Sequence, residues 1–297
     1  MCGIVGLHLR DPALYPQLGA LLTDMLTQLV DRGPDSAGMA VYGDPRWSPP
    51  GHATVSLLDS PLPAAELAAE TGARLGVPVT GIDLAPTTVL HAPADPEALV
   101  AAVRAVGDVL VIGYGHELTV LKGVGDPRVL AEGFGLAQAS GWQGVAHTRM
   151  ATESAVTAEG SHPFSVGGDQ CLVHNGSFSN YASVRQRLER EGVVFDSAND
   201  TEVGARFVAD RLAQGEDLEK ALLALSESLD GFYTLLVSTA DSFAVVRDPI
   251  ACKPAIIAET PRWVAMASEY RALAGLPGID SARLFEPEPQ EVYAWHR

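Results

Sequence analysis

No block of lysine or arginine occurs anywhere in the chain; 20 basic residues face 37 acidic ones, for a formal net charge of −17. Binding a phosphate backbone needs a concentrated basic footprint, so nucleic acid is not expected as a partner. Long apolar runs are missing too. None approaches the ~20 residues that a membrane helix requires, so no membrane span is expected. The N-terminus lacks the basic segment, apolar run and cleavage site of a secretory signal. Cysteine is scarce: Cys2, Cys171 and Cys252 stand far apart and are odd in number. That pattern argues against a disulfide framework or a thiolate zinc site and fits a reducing cytoplasm. The eight histidines are scattered, with no His-x-x-x-His pair around a carboxylate, so no metal is expected. A glycine-rich phosphate loop and internal repeats are absent as well, and no cofactor is expected.

What the chain does have is apolar bulk. Hydrophobic residues make up 47% of the 297 residues and charged ones 19%, enough for a substantial core. Residues 2–9 read as a short buried strand punctuated by glycine. Leu18, Leu21, Leu22, Met25, Leu26 and Leu29 then recur at the spacing of one helical face. The helix stops at Asp31-Arg32-Gly33-Pro34, and residues 38–43 read as a second strand. From 44 to 115 the texture changes, with Pro, Ala and Gly crowding 45–96, a helix near 99–106 and a strand near 109–114. This stretch reads as an insertion, structural or partner-docking, within one domain spanning 1–297. Further strands are predicted at 144–148, 170–174, 232–238, 242–247, 255–258 and 264–268, and helices at 181–191, 201–213 and 218–229. Strands and helices are clustered, with hairpin-like strand pairs in the last third. That favours a layered α+β fold over a doubly wound parallel sheet.

Five segments carry candidate chemistry. Cys2 follows the initiator methionine directly; removal of Met1 would give a cysteine whose own α-amine, of pKa near ~8, can serve as base for its thiol. A buried structural cysteine at a strand start is the plainer alternative. Asp31 to Gly38 is a polar turn in which Arg32 and Asp35 set charge beside a strand end, although a helix stop alone would use the same residues. Gly144 to Thr152 is a strand running into Arg149, whose bidentate fork can grip a carboxylate or simply form a surface ion pair. His174-Asn175-Gly176 follows a strand; Asn175 and the unhindered backbone of Gly176 can donate to an oxyanion, or form an Asn-Gly turn. In Asn199-Asp200-Thr201-Glu202 a side chain caps a helix while a carboxylate is left to meet solvent or an amine.

Each segment is weak alone, but their order is not. Met1-Cys2-Gly3-Ile4-Val5-Gly6, Arg32-Gly33-Pro34-Asp35-Ser36-Ala37-Gly38, His147-Thr148-Arg149-Met150-Ala151-Thr152, His174-Asn175-Gly176-Ser177 and Asp200-Thr201-Glu202 together resemble the class II, or N-terminal-nucleophile, glutamine amidotransferases. The resemblance covers the start and then roughly 118 to the end, skipping most of the insertion. It implies a four-layer αββα sandwich of the Ntn-hydrolase type. It also implies roles: Cys2 as nucleophile, Asn175 and Gly176 as oxyanion donors, Arg149 for the α-carboxylate of L-glutamine and Asp200 for its α-ammonium. Thr152 and His147 fall where the family lines the pocket, and Arg32 and Gly33 belong to the turn beside the nucleophile. Met150 stands where many members carry an aromatic residue, and Glu288 to Glu291 stands where Pro-Gly-Glu is common.

The resemblance runs to within a few residues of Arg297, so the acceptor of the ammonia is expected on a separate synthase subunit. The layout and Met150 are most similar to amidotransferase subunits allied to glutamate synthase, including that of N-methylglutamate synthase. Such neighbours bind flavin and iron–sulfur clusters; three isolated cysteines here cannot form a four-thiolate cluster. Two other readings stay open: an Ntn hydrolase of a different amide, which would not need Arg149 and Asp200 as a pair, and a catalytically retired regulatory subunit.

Overall fold

The computed structural model describes residues 2–150 and 156–297. Its strands are β1 (Gly3–Leu9), β2 (Ser36–Tyr42), β3 (Ala53–Leu58), β4 (Thr80–Leu84), β5 (Thr87–Ala92), β6 (Leu110–Gly115), β7 (Leu118–Val124) and β8 (Gln143–Arg149) in the first half. The second half holds β9 (Cys171–Phe178), β10 (Gly231–Ser238), β11 (Ser242–Arg247), β12 (Ile256–Glu259), β13 (Trp263–Ala267), β14 (Arg283–Phe285) and β15 (Val292–His296). The helices are α1 (Leu18–Thr27), α2 (Ala64–Leu75), α3 (Pro96–Arg104), α4 (Pro127–Gly133), α5 (Tyr181–Arg190), α6 (Asp200–Ala213) and α7 (Leu218–Ser228).

Two antiparallel sheets face each other at the centre. One has seven strands in the order β14-β12-β13-β1-β8-β2-β7, the other four in the order β15-β11-β10-β9. Alternation along each strand sorts its side chains between two cores. Val5, Leu7 and Leu9 of β1 pack with α1 residues Leu18, Leu22, Met25 and Leu26 on the outer face of the large sheet. Ile4, on the other face, meets Val173, Leu236 and Val245 of the small sheet. A Cβ at Gly6 would press into Leu236 and Phe243, so glycine there lets the sheets close. The outer face of the small sheet, with Leu235, Val237, Ala244 and Val246, is covered by Val184, Phe207, Leu222 and Leu225 of α5, α6 and α7. Helix, sheet, sheet, helix: the layers form the αββα sandwich.

Residues 53–115 form a third sheet, β4-β5-β3-β6, with α2 and α3 packed on one face through Leu67, Leu99 and Val103. The sequence reading placed a helix and a strand here but not β3, β4, β5 or α2. Strand β3 does alternate, with Ala53, Val55 and Leu57 on one face and Thr54 and Ser56 on the other, but the crowding of Pro, Ala and Gly around it masks so short a pattern. It also takes β9 further than expected: the strand runs through His174, Asn175 and Gly176, which pair with Leu235, Thr234 and Tyr233. The Asn-Gly pair therefore lies inside the ladder and makes no turn.

Candidate active site

Cys2 stands just before β1, between β13 and β8, both of which pair with β1. Arg32 reaches it from the turn after α1: its Nε donates to the Cys2 carbonyl at 2.9 Å, and its Nη1 to Glu269 at 2.6 Å. That salt bridge, with Arg271 as a second cation, holds the Glu269 carboxyl below its usual range. Gly33 allows the approach, because a Cβ there would collide with the backbone of Thr148 and Arg149. On the other side, Ser268 accepts the Ile4 N–H at 2.9 Å and returns its own N–H to the Ile4 carbonyl. The neighbours of Cys2 are thus fixed from three elements.

The thiol lies against the end of β8. The Met150 N–H donates to Cys2 Sγ at 3.5 Å. Burial pushes the Cys2 thiol up, but the nearby His147 imidazole, together with the Met150 N–H, outweighs it and brings the pKa to about 7. Asn175 adds a donor. Its Oδ1 can only accept, so the 3.0 Å contact with His147 Nε2 carries the imidazole proton and turns the amide NH₂ toward Cys2. That NH₂ donates to the Cys2 carbonyl and to Ser268 Oγ, each at 3.3 Å. Gly176 next to it has φ +137°, and a Cβ would run into the Phe232 carbonyl. Only glycine fits there without strain.

Cys2, Arg32, Met150, Asn175, Gly176, Lys253 and Pro254 together line a pocket of about 210 Å³. Four of the residues expected from sequence are therefore gathered in one wall: Cys2, Arg32, Asn175 and Gly176. His147 lies beneath them, fully buried. Arg149 and Asp200 do not line this pocket. Arg149 ends β8 with 7% of its surface exposed and its guanidinium beside Gly160. Asp200 opens α6; its Oδ2 accepts the Phe178 N–H at 2.9 Å, two residues along β9 from Gly176. Asn199, not Asp200, caps the helix. Thr152 lies outside the described residues.

Beneath the pocket the sequence reading missed a buried polar cluster. Thr201 Oγ1 lies 2.9 Å from His162 Nε2 and 3.0 Å from His174 Nδ1, and 3.4 Å from Asp200 Oδ1. The His147 and His162 rings are 4.2 Å apart. Burial holds His162 well below its ordinary value, with the charges of His147 and His174 adding to it. Burial brings His174 to about 4, opposed by Asp200 and reinforced by His147 and Lys253. Both rings are neutral at neutral pH. Their spacing in sequence, 162 against 174 against 201, gives no sign that one hydroxyl would join them.

Lys253 and Pro254 also went unassigned in the sequence reading, although both sit in a stretch that carries the family resemblance.

This arrangement can be set against known proteins. Residues 147–275 match the family described as Glutamine amidotransferase domain. Over 99% of this chain, the sequence is 49% identical to the glutamine amidotransferase-like protein GlxB of Rhizobium meliloti, covering 98% of that protein. A putative glutamine amidotransferase of Methanothermobacter thermautotrophicus is 32% identical over 98% of both chains. The structure also superposes on the allosteric regulatory enzyme of purine biosynthesis with a TM-score of 0.63 at 20% identity; the match covers 99% of this chain and 46% of that one. That last likeness concerns the fold alone. The αββα sandwich, together with these full-length relatives, places the chain among amidotransferases of the Ntn type. The chain belongs to the class II glutamine amidotransferase family.

Proposed function

We propose that this protein hydrolyses L-glutamine to glutamate and ammonia through Cys2 and passes the ammonia to a separate acceptor subunit. The observation that carries the reading is the Cys2 thiol, brought to a pKa of about 7 on the wall of a pocket it shares with Asn175 and Gly176. In this reading Met1 is removed and the freed α-amine of Cys2 takes the thiol proton. The sulfur attacks the side-chain carbonyl carbon of glutamine, and the oxyanion is met by the Asn175 amide and the Gly176 N–H. The intermediate collapses with cleavage of the C–N bond; the amine returns the proton, and ammonia leaves a γ-glutamyl thioester. Water then cleaves the C–S bond, giving glutamate and the free thiol.

Arg149 holds the α-carboxylate and Asp200 the α-ammonium, with Thr152 and His147 shaping the pocket and Arg32 and Gly33 fixing the turn under the nucleophile. Residues 44–115 are, on this reading, an insertion into the single amidotransferase domain. The acceptor is a synthase subunit of the glutamate synthase or N-methylglutamate synthase kind. Support for a separate acceptor comes from the two relatives, of which this chain covers 98% each, so the amidotransferase part makes up nearly all of either.

The test is intact mass of protein purified from its native cell, followed by glutamate release from glutamine with Cys2 intact and with Cys2→Ala. The mass should lack one methionine, and the variant should lose at least ~10³-fold activity, as expected when a covalent nucleophile is removed. Activity that survives in Cys2→Ala sinks the mechanism.

A further inference from the structure

The pocket wall carries two cations, and their charges are not equally engaged. Arg32 is bound to Glu269 and to the Cys2 carbonyl. Lys253 has no carboxylate within ion-pair distance among the described residues; its ammonium rests 5.0 Å from the centre of the Phe232 ring.

The main chain beneath Lys253 is clamped. Its carbonyl accepts from Thr234 Oγ1 at 3.0 Å and from Arg247 Nη2 at 2.9 Å. Arg247, itself buried, also donates to the carbonyls of Ala251 and Pro287. Asp248 is fully buried and accepts three backbone N–H groups, from Tyr233, Ile250 and Ala251, at 2.7, 2.7 and 3.1 Å. Ala251 is held at φ +51°, in the left-handed region that non-glycine residues rarely adopt. Two buried charged side chains are thus committed to the course of one loop, and what that loop delivers into the pocket is Lys253 and Pro254.

We propose that Lys253 is a specificity-determining residue that reads the carboxylate of the pocket's substrate, so that the site selects an amino-acid amide over a simple amide. The proposal rests on the reading of the pocket as a glutamine site. A pocket of about 210 Å³ brings any bound amino acid close to every wall, including the one that Lys253 helps to form. An unpaired lysine in a partly desolvated wall gains most from an anion that arrives with the ligand. Lys253 acts in addition to Arg149, which is buried at the end of β8 and does not line this wall.

The experiment measures steady-state hydrolysis of L-glutamine and of 4-aminobutanamide, which is glutamine without its α-carboxylate. Enzymes compared are wild type, Lys253→Met and Lys253→Arg, with thermal melting to confirm folding. The expected result for Lys253→Met is a KM for glutamine raised about tenfold, kcat within about twofold, and an unchanged KM for 4-aminobutanamide. Lys253→Arg should restore most of the loss. An unchanged KM for glutamine, or an equal loss on both substrates, overturns the proposal. Calorimetric binding of L-glutamate to wild type and Lys253→Met separates the two levels of inference. Binding weakened about tenfold in Lys253→Met, with a wild type that never hydrolyses glutamine, would overturn the proposed function and leave the role of Lys253 standing; equal binding would overturn that role.

Discussion

At Cys2, burial and polar contacts pull the thiol in opposite directions, and the polar contacts win. Burial alone would push its pKa up, as it does at Cys171, which is fully enclosed and raised to about 11 despite hydrogen bonds from Ser238 and Tyr42. What differs is the company: His147 and the Met150 N–H lie against Cys2, and its pKa falls to about 7. The thiolate fraction at Cys2 should therefore be half-developed near neutrality, where an ordinary thiol of pKa ~8.5 is only a few per cent ionised. Alkylation by iodoacetamide, followed on the Cys2 peptide so that exposed Cys252 does not interfere, should rise to half its plateau at a pH of about 7. His147→Gln removes the imidazole and leaves burial, so the midpoint should move up by a unit or more. A midpoint that stays in place would show that His147 does not set the thiol's reactivity. Sequence alone could nominate Cys2 by position and His147 by motif. It could not show that the two are brought near each other, because that depends on the pairing of β1 with β8 in a register that sets Ile4 opposite His147.

The same division holds for elements. Strands β1, β10, β11 and β13 and helices α1, α5, α6 and α7 were legible because each shows a single apolar period or a bounded apolar run. The loop from Asp248 to Pro254 was not, because what fixes it is three-dimensional: a carboxylate and a guanidinium turned back onto their own main chain. Asp248→Ala leaves the N–H groups of Tyr233, Ile250 and Ala251 without their acceptor. The Tyr233 donor is buried, and the loss should cost about 2–4 kcal/mol, read by urea unfolding. Asp248→Asn keeps an acceptor oxygen and should recover part of it. If Asp248→Ala unfolds at the wild-type midpoint, the loop is not held as described. His174-Asn175-Gly176 shows the opposite failure. The dipeptide is a turn signal by local chemistry, yet long-range pairing with β10 draws it into a strand. Gly176 then serves a close approach to Phe232 that no local rule reports.

For the whole molecule, the open question is what the third sheet does for the sandwich. Strand β7 is the last strand of the seven-stranded sheet, so one row of its backbone groups lacks a neighbouring strand. Such an edge invites pairing with another chain unless something covers it. Here side chains of the third sheet take the place of a neighbouring strand. Ser56 Oγ of β3 accepts the Val120 N–H at 3.0 Å. Thr87 Oγ1 of β5 accepts the Lys122 N–H at 3.2 Å and donates to the Lys122 carbonyl at 3.3 Å. At the start of β7 the Asp169 carboxylate accepts from His116, Glu117 and Leu118. Leu58 and Ile112 of the third sheet join the core between the two large sheets. The texture change at 44 marks this region in the sequence, but composition gives no hint that it serves as an edge cover. Replacing Ser56 and Thr87 by Ala and Val removes the polar cover while keeping the volume. The buried Val120 and Lys122 donors then lose their partners, at a cost of about 1–3 kcal/mol each. Stability should fall by that amount in urea, and size-exclusion chromatography at rising concentration should show self-association beyond that of the wild type. A double variant with the oligomeric state and stability of wild type would mean that β7 is protected by the apolar contacts of Leu58 and Ile112 alone.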